Sequence, residues 1–178
     1  YFVAGVELRS DSSDAGAGDW LLSQGEIVIR NARLAWTDDK RAAPRLDLSG
    51  VTLMLQNKAD THRFALRANA SKNLASVLDI RGEFHGDSLK EIQAWRGQVF
   101  AELDYVDLAA WKQWVDYPFD LESGKGALRL WMTTDGQRVT DVNADVALAN
   151  VRARLENELP MLDLEYLYGR LEIGRAHV

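Results

Sequence analysis

The stretch Ile27-Val28-Ile29-Arg30-Asn31-Ala32-Arg33-Leu34 decides the fold, because it alternates apolar and polar residues with one extra polar residue in its middle. Alternation places successive side chains on opposite faces of a strand. One extra residue would move every later apolar side chain to the polar face. A β-bulge or tight turn at Arg30-Asn31 absorbs that residue and returns the later apolar residues to the original face.

The same pattern recurs at 46–53, 101–108, 146–153 and 162–169. Two further copies carry Ser49-Gly50 and Ala149-Asn150 at the doubled position, where Gly and Asn tolerate unusual backbone angles. We therefore expect a mainly β fold: a bent antiparallel amphipathic sheet, shaped as an open groove or half-barrel, with one short α-helix.

Turn signals between the alternating runs predict eight strands, at 26–37, 45–57, 63–69, 76–85, 97–104, 126–134, 139–155 and 161–171. The pair Asp135-Gly136 is the strongest hairpin signal. Residues 2–8 read as the middle of a further strand, and the Gly-containing run 11–18 reads as a polar loop.

One helix is predicted at 107–115, where an acid precedes a stripe of Leu108, Trp111 and Val115, and Pro118 then ends it. A helical turn is also predicted at 90–95. Nine residues span roughly 13 Å, so the helix covers one end of the sheet and not its middle. The remaining apolar face must meet a second sheet, a neighbouring segment or an apolar ligand.

Composition narrows the functional classes. The chain has 178 residues, 47% of them apolar and 27% charged, which suits one domain with a sizeable core. Its net charge is −6 and its Lys and Arg residues are scattered, so no nucleic-acid footprint is expected. No apolar run approaches the roughly 20 residues of a membrane-spanning helix. The absence of Cys excludes disulfides and Cys-based metal sites.

Both ends of the sequence have features of a fragment. Tyr1 is not an initiator Met, and residues 172–178 resemble the in-frame translation of a common sequencing adapter. We expect residues 1–171 to be one β-rich internal segment of a longer protein, and 172–178 to be a non-native tail.

The sequence contains few of the residue patterns that are typical of enzymes. His62, His85 and His177 lack metal-ligand spacing, so a metal site is not expected. Carboxylates such as Asp87 and Glu91 could form a glycosidase pair, but solvated turn residues are the favoured interpretation. There is no Gly-x-Ser-x-Gly elbow and no phosphate-cradling glycine motif. The sequence predicts a protein that is not an enzyme and needs no cofactor.

The six Trp residues have two interpretations. They pack the helix and its flanks on the sheet, or they line the rim of a groove. Trp131 is unusual, because Leu128, Leu130 and Met132 occupy the other face of its strand. It is suited to contact an outer element or a partner.

Several motifs carry a family resemblance. The stretch Gly25-Glu26-Ile27-Val28-Ile29-Arg30-Asn31-Ala32-Arg33-Leu34-Ala35-Trp36-Thr37-Asp38 resembles the opening motif of the central region of YhdP-type proteins, which belong to the AsmA-like group of Gram-negative envelope proteins. The stretch 108–114 followed by Pro118, and the stretches 124–131, 142–148 and 169–171, fit the same region in the same order. The resemblance spans most of 22–171.

This resemblance implies a much longer periplasmic protein, anchored in the inner membrane by an N-terminal helix that this chain does not include. In that family the sheet curls into a long hydrophobic groove thought to carry phospholipids toward the outer membrane. The implied partners are phospholipid acyl chains and neighbouring segments of the same chain, with no nucleic acid. Two rivals remain: a β-sandwich scaffold for outer-membrane biogenesis that never touches lipid, and a carbohydrate-active β-protein using surface Trp and Asp.

On this interpretation, one set of apolar side chains lines the groove. The predicted lining residues are Ile27, Ile29, Leu34, Trp36, Leu46, Leu48, Val51, Leu53, Leu55, Phe64, Leu66, Leu78, Ile80, Phe84, Leu103, Leu128, Leu130, Val146, Leu148, Val151, Leu155, Leu162 and Leu164.

Overall fold

The alternating runs form strands in the computed structural model, which describes residues 2–3, 6–7, 15–38, 42–117, 119–136 and 138–174. The elements in chain order are β1 (Phe2–Val3), β2 (Val6–Glu7), α1 (Ala15–Ser23), β3 (Glu26–Trp36), β4 (Leu46–Lys58), β5 (Thr61–Asn69), β6 (Val77–His85), a 3-10 helix (Leu89–Ala94), β7 (Arg96–Asp107), α2 (Leu108–Trp111), β8 (Asp120–Asp135), β9 (Arg138–Arg154) and β10 (Leu162–Gly174).

Strands β3 to β10 form an antiparallel meander, in which each strand pairs with its neighbours in the chain. The described sheet does not close, because β10 pairs with β9 and the short strands β1 and β2 lie beyond β3. The expected fold class is therefore confirmed. All eight predicted strands are present, although β7 continues through Asp107 and β8 begins at Asp120, well before the predicted residue 126.

The doubled residues produce the predicted bulges. Asn31, Gly50 and Asn150 all have positive φ, at 53°, 58° and 52°. The pairing register shifts between Ile29 and Ala32 in β3, between Ser49 and Thr52 in β4, and between Leu103 and Val106 in β7. Each shift bends its strand locally, whereas β5 and β6 pair without one.

The final copy of the pattern behaves differently. β9 and β10 pair without a register shift, so that Val151 lies opposite Leu164 and Leu148 opposite Leu167. Both strands carry the extra residue at the same height, and the two insertions therefore pair with each other. The apolar residues on either side of the insertion still share one face.

Two local predictions were wrong. Residues 15–18 belong to α1 and not to a loop, while residues 11–14 of that predicted loop lie outside the described part. Residues 2–8 do not form one strand, since Phe2 pairs with Glu7 and Val3 with Val6 in a short hairpin. Residues 4, 5 and 8 are outside the described part.

The predicted helix at 107–115 is shorter than expected. Only Leu108–Trp111 is α-helical, capped by the Asp107 carboxylate, which accepts from the Ala110 backbone N–H at 3.1 Å. A turn continues to Trp114, whose backbone N–H donates to the Trp111 carbonyl at 2.9 Å. Pro118, the predicted stop, lies outside the described residues. The predicted helical turn at 90–95 is confirmed as the 3-10 helix.

Candidate functional site: the apolar face of the sheet

Two register rows of apolar residues cross the eight long strands, from β3 to β10. Residues directly opposite each other in antiparallel strands share a face, so the pairing partners define each row. The first row is Ile29, Leu53, Leu66, Ile80, Ala101, Leu130, Ala144 and Leu171. The second row is Ile27, Leu55, Phe64, Gly82, Val99, Met132, Val142 and Ile173. We call these two rows the apolar band.

The apolar band contains no charged residue on any of the eight strands, and its larger described side chains on β3 to β9 are half-buried. Seven inter-strand spacings of about 4.8 Å make it roughly 34 Å long, running across the strands and not along them. The band is therefore a continuous apolar track.

The opposite face carries ladders of ion pairs. Arg129 Nε lies 2.8 Å from Glu102 Oε1, and Arg170 binds both Asp145 oxygens, at 2.7 and 3.0 Å. The Arg170 guanidinium, through these hydrogen bonds, lowers the pKa of Asp145. Because charged side chains are rarely buried, this face of the sheet is expected to be exposed to water.

One hydrophobic row interrupts that polar face. Val28, Met54 and Ala65 lie in register, and beyond Arg81 the row continues with Phe100 and Trp131. The Phe100 and Trp131 ring centroids are 5.3 Å apart, and the Arg170 guanidinium lies 5.9 Å from the Trp131 ring. Trp131 is 38% exposed, consistent with its expected position on the outer face.

Residues 107–117 and Phe119 pack over one end of the apolar face, and we call them the covering segment. Trp114 is 6% exposed and belongs to a cluster with Leu48 and Val51. Tyr117 and Phe119 pack on a second cluster that contains Leu148. We call the buried side chains beneath this segment the covered end.

Two indole groups fasten the covering segment to other loops. Trp111 Nε1 donates to the Leu74 carbonyl at 3.1 Å, and Trp114 Nε1 donates to the Pro44 carbonyl at 2.9 Å. These carbonyls belong to the β5–β6 and β3–β4 connections, so three connections meet at the covered end. The prediction that the helix covers one end of the sheet is confirmed.

Tyr117 completes this cover. Its hydroxyl donates to the Leu108 carbonyl at 3.1 Å. Burial, with a smaller contribution from the Asp107 carboxylate, raises the pKa of Tyr117 to about 12. Asp107 also forms an ion pair with Lys125 at 3.1 Å, which ties the start of the covering segment to β8.

The opposite end of the apolar face is bounded by His62 and Trp95. The two rings stack with centroids 4.9 Å apart and an interplanar angle of 14°. Both residues are buried, at 7% and 8% exposed. The apolar band therefore runs between two rims, one made by the covering segment and the other by the His62–Trp95 stack.

Between the rims, aromatic rings lie flat over glycines. A Cβ added at Gly82 would collide with the Phe64 ring, and one added at Gly97 would collide with the Phe84 ring. The Phe64 and Phe84 rings are 6.1 Å apart and nearly parallel. Because the glycines have no side chain, the rings occupy the space that a Cβ would take.

The predicted lining residues divide into four groups. The apolar band holds eight of them, at Ile27, Ile29, Leu53, Leu55, Phe64, Leu66, Ile80 and Leu130. The two clusters toward the covered end hold or contact twelve others, at Leu34, Trp36, Leu46, Leu48, Val51, Leu78, Leu103, Leu128, Val146, Leu148, Val151 and Leu164. They also contact Leu66, Ile80 and Leu130 of the band. Phe84 lies beside the His62 rim, and Leu162 lies on the edge strand β10.

Leu155 is the exception. It follows the last residue of β9 and is 50% exposed, so the structure does not bring it to the apolar face. The common surface expected for Ile29, Leu34, Leu48, Leu53, Leu148 and Val151 is confirmed, because register pairs and the two clusters connect them. The predicted lining set omitted Val99, Met132 and Val142. Val142 lies between Asp141 and Asn143, whereas Val99 precedes Phe100 and Met132 follows Trp131, so apolar–polar alternation is interrupted at those two positions.

No group of three metal-ligating side chains occurs among the described residues. Within the described part of the chain, no helix has the length and apolar character needed to cross a membrane. The surface offers continuous apolar area between two buried rims, which is suited to binding a long apolar molecule.

Comparison with known proteins gives one family. No curated protein and no solved structure matches the chain. The family model described as YhdP protein matches residues 5–177, which is nearly the whole chain. The apolar face and its bulged strands are thus those of a bacterial envelope protein, and the chain belongs to the YhdP family.

Proposed function

We propose that the apolar band carries phospholipid acyl chains, as one segment of a bridge between the inner and outer membranes. The observation that supports this most directly is the pair of apolar rows that crosses all eight strands without a charge. Binding and transport, and not catalysis, is the proposed role.

The energetics favour a track of this kind. A phospholipid has roughly thirty methylene-type groups, so exposing it to water costs on the order of 25 kcal/mol at about 0.8 kcal/mol per group. A surface that stays apolar from β3 to β10 removes most of that barrier. Acyl chains lying on the band would travel across the strands, from β3 toward β10 or in reverse.

The proposal also assigns partners and place. In the full-length protein, neighbouring segments of the same chain extend the sheet at its edges, and an N-terminal anchor holds the bridge in the inner membrane. The bridge itself lies in the periplasm of a Gram-negative bacterium. The charged outer face would then contact the aqueous periplasm.

A scaffold without lipid is the second candidate. It is favoured by the covered end, where Trp114 and Leu148 are already buried by protein and leave no space for a ligand. On this view the band would be covered by another protein segment in the same way. The two candidates differ in what contacts Leu53.

The test is photocrosslinking in the full-length protein. A photoreactive residue at Leu53, on the band, should capture phospholipid, whereas one at Thr52, which is exposed on the outer face, should not. Leu66 and Arg67 on β5 provide a second matched pair. Lipid captured equally from both faces would reject the track, and protein captured from position 53 in place of lipid would favour the scaffold.

A further inference from the structure

His62 occupies a buried position where β4 and β6 end and β5 begins. It lies in register between Asn57 and Phe84 and is only 7% exposed. Its ring touches three separate elements: the end of β4, the residue after β6 and the Trp95 indole.

Both ring nitrogens of His62 face oxygen atoms. Nδ1 lies 2.9 Å from Asn57 Oδ1, and Nε2 lies 2.8 Å from the Gly86 carbonyl oxygen. A neutral imidazole has one N–H and one lone pair, so it can donate to only one of these acceptors. In the neutral form the other contact would set two lone pairs against each other.

The Asn57 amide cannot turn over to relieve this conflict. Its Nδ2 donates to the Leu21 carbonyl at 3.0 Å and to the Gln24 carbonyl at 2.7 Å. A reversed amide would place Oδ1 against two carbonyl oxygens. The end of α1 therefore fixes Asn57 Oδ1 as an acceptor toward His62.

The stacked indole also suits a charged ring. Trp95 lies parallel to His62 and is itself held by a hydrogen bond from Nε1 to the Ser88 carbonyl at 3.0 Å. A cation over the face of an indole is attracted by the ring quadrupole, and the attraction is stronger in a desolvated place. Trp95 thus stabilises the doubly protonated ring over the neutral one.

The charged and titratable groups near these contacts lie on several elements. They are Lys58 at the end of β4, Asp60 in the following turn, Arg63 on β5, Glu83, His85 and Asp87 around the end of β6, Arg96 at the start of β7, Asp19 on α1 and Glu91 on the 3-10 helix. His85 Nε2 is 3.2 Å from Glu83, and Asp19 accepts from the Ser88 hydroxyl at 3.0 Å. Among the described residues, the hydrogen-bond acceptors at the His62 ring are Asn57 and Gly86.

We propose that His62 binds a second proton and, as an imidazolium, holds α1 and the loop after β6 against the rim of the apolar face through its hydrogen bonds to Asn57 and Gly86. Loss of that proton removes one of these two hydrogen bonds and weakens the attachment. The attachment is therefore stronger at lower pH and weaker as the pH rises. This inference does not depend on the lipid proposal, since it concerns the rim alone.

The test is a pH titration of the chain with ¹⁵N-labelled histidine, followed by NMR. The expected result is a His62 ring with hydrogen on both nitrogens that loses one as the pH rises. In the same pH interval, hydrogen exchange of the Trp95 indole N–H and the Asn57 side-chain N–H₂ should accelerate about tenfold, the effect of losing about one hydrogen bond. Exchange at the covered end, at Trp114 Nε1, should follow only the ordinary pH dependence.

Two variants sharpen the result. His62→Gln should abolish the acceleration at Trp95 and Asn57, while Asn57→Asp should keep the second proton on His62 to higher pH, because a carboxylate is a stronger acceptor than an amide. A His62 ring with a single N–H throughout pH 5–9 would overturn the proposal. Loss of one proton from His62 with no change in hydrogen exchange at Trp95 or Asn57 would also overturn it. Both observations are made on the unsubstituted chain, so they hold even if a variant does not fold.

Discussion

The covered end and the apolar band share one face of one sheet, yet they differ in what lies over them. At the covered end, Trp114 and its neighbours bury Leu48, Val51 and Leu148 to about the extent of an ordinary protein core. Along the band, comparable side chains such as Leu53 and Leu66 remain half-buried. The difference teaches that alternation decides which side of a strand is apolar, whereas a connecting segment decides whether that side is a core or a surface.

The largest effect on stability should come from a charged substitution, made once at the covered end and once on the apolar band. Leu148→Asp would bury an unpaired carboxylate beneath the covering segment, and we expect it to destabilise the fold by at least about 4 kcal/mol. Leu53→Asp, on the half-buried band, should cost less than about 2 kcal/mol because its carboxylate can reach water. Urea unfolding would measure both. Equal costs would show that the band is covered as well as the other end.

Removing a tryptophan from the covering segment should be the next largest effect. Trp114→Ala deletes a 6% exposed indole and its bond to Pro44, so we expect a loss of about 3–5 kcal/mol. Trp131→Ala, on the outer face, is the matched control and should cost about 1 kcal/mol or less. Thermal or urea unfolding would compare them. A larger effect at Trp131 would mean that the outer face is the better packed one.

A substitution at the bulge position of β9 should have a smaller effect on stability. Asn150 has φ of 52°, a conformation that a β-branched residue adopts only with strain, so Asn150→Val should destabilise by about 1–2 kcal/mol. Asn150→Gly should stay within about 0.5 kcal/mol of the original protein. If valine were tolerated as well as glycine, the bulge would not depend on the left-handed backbone of this residue.

The smallest effect concerns alkaline pH. Burial raises the pKa of Tyr117 to about 12, so the folded chain holds the phenolic proton more tightly than the unfolded chain, whose value is about 10. The resulting stability is present below pH 10 and is lost as the pH rises from 10 to 12. The ultraviolet absorbance of tyrosinate during titration would report it, with Tyr117→Phe as control. Ionisation of all tyrosines near pH 10 would contradict the burial of Tyr117.

Much of this fold could be predicted from the sequence, because alternation, doubled residues and turn pairs are local signals. Asn31, Gly50 and Asn150 were identified by residue type alone, and the Asp135-Gly136 hairpin was confirmed by the pairing of Asp135 with Arg138. Helix α1 could not be predicted in this way. Its Gly16 and Gly18 disfavour a helix, and its C-terminal end is held by the distant side chain of Asn57.

The candidate site could be predicted only in part. The apolar face was identified by periodicity, but its division into a covered end and an open band depends on Leu74 and Pro44, whose carbonyls belong to loops far from Trp111 and Trp114 in the chain. Such contacts leave no periodic signal. The His62 contacts are similar, since they join residues 57, 62, 86 and 95 through hydrogen bonds and stacking.

The meander order of β3 to β10 has a consequence for how the chain reaches this structure. Every long strand pairs with the strands next to it in the chain, so loop closures are short and the sheet has low contact order for an all-β protein. We expect folding to proceed by adding one hairpin after another to a growing edge. A sheet assembled in this order can begin to form before its last strand is available.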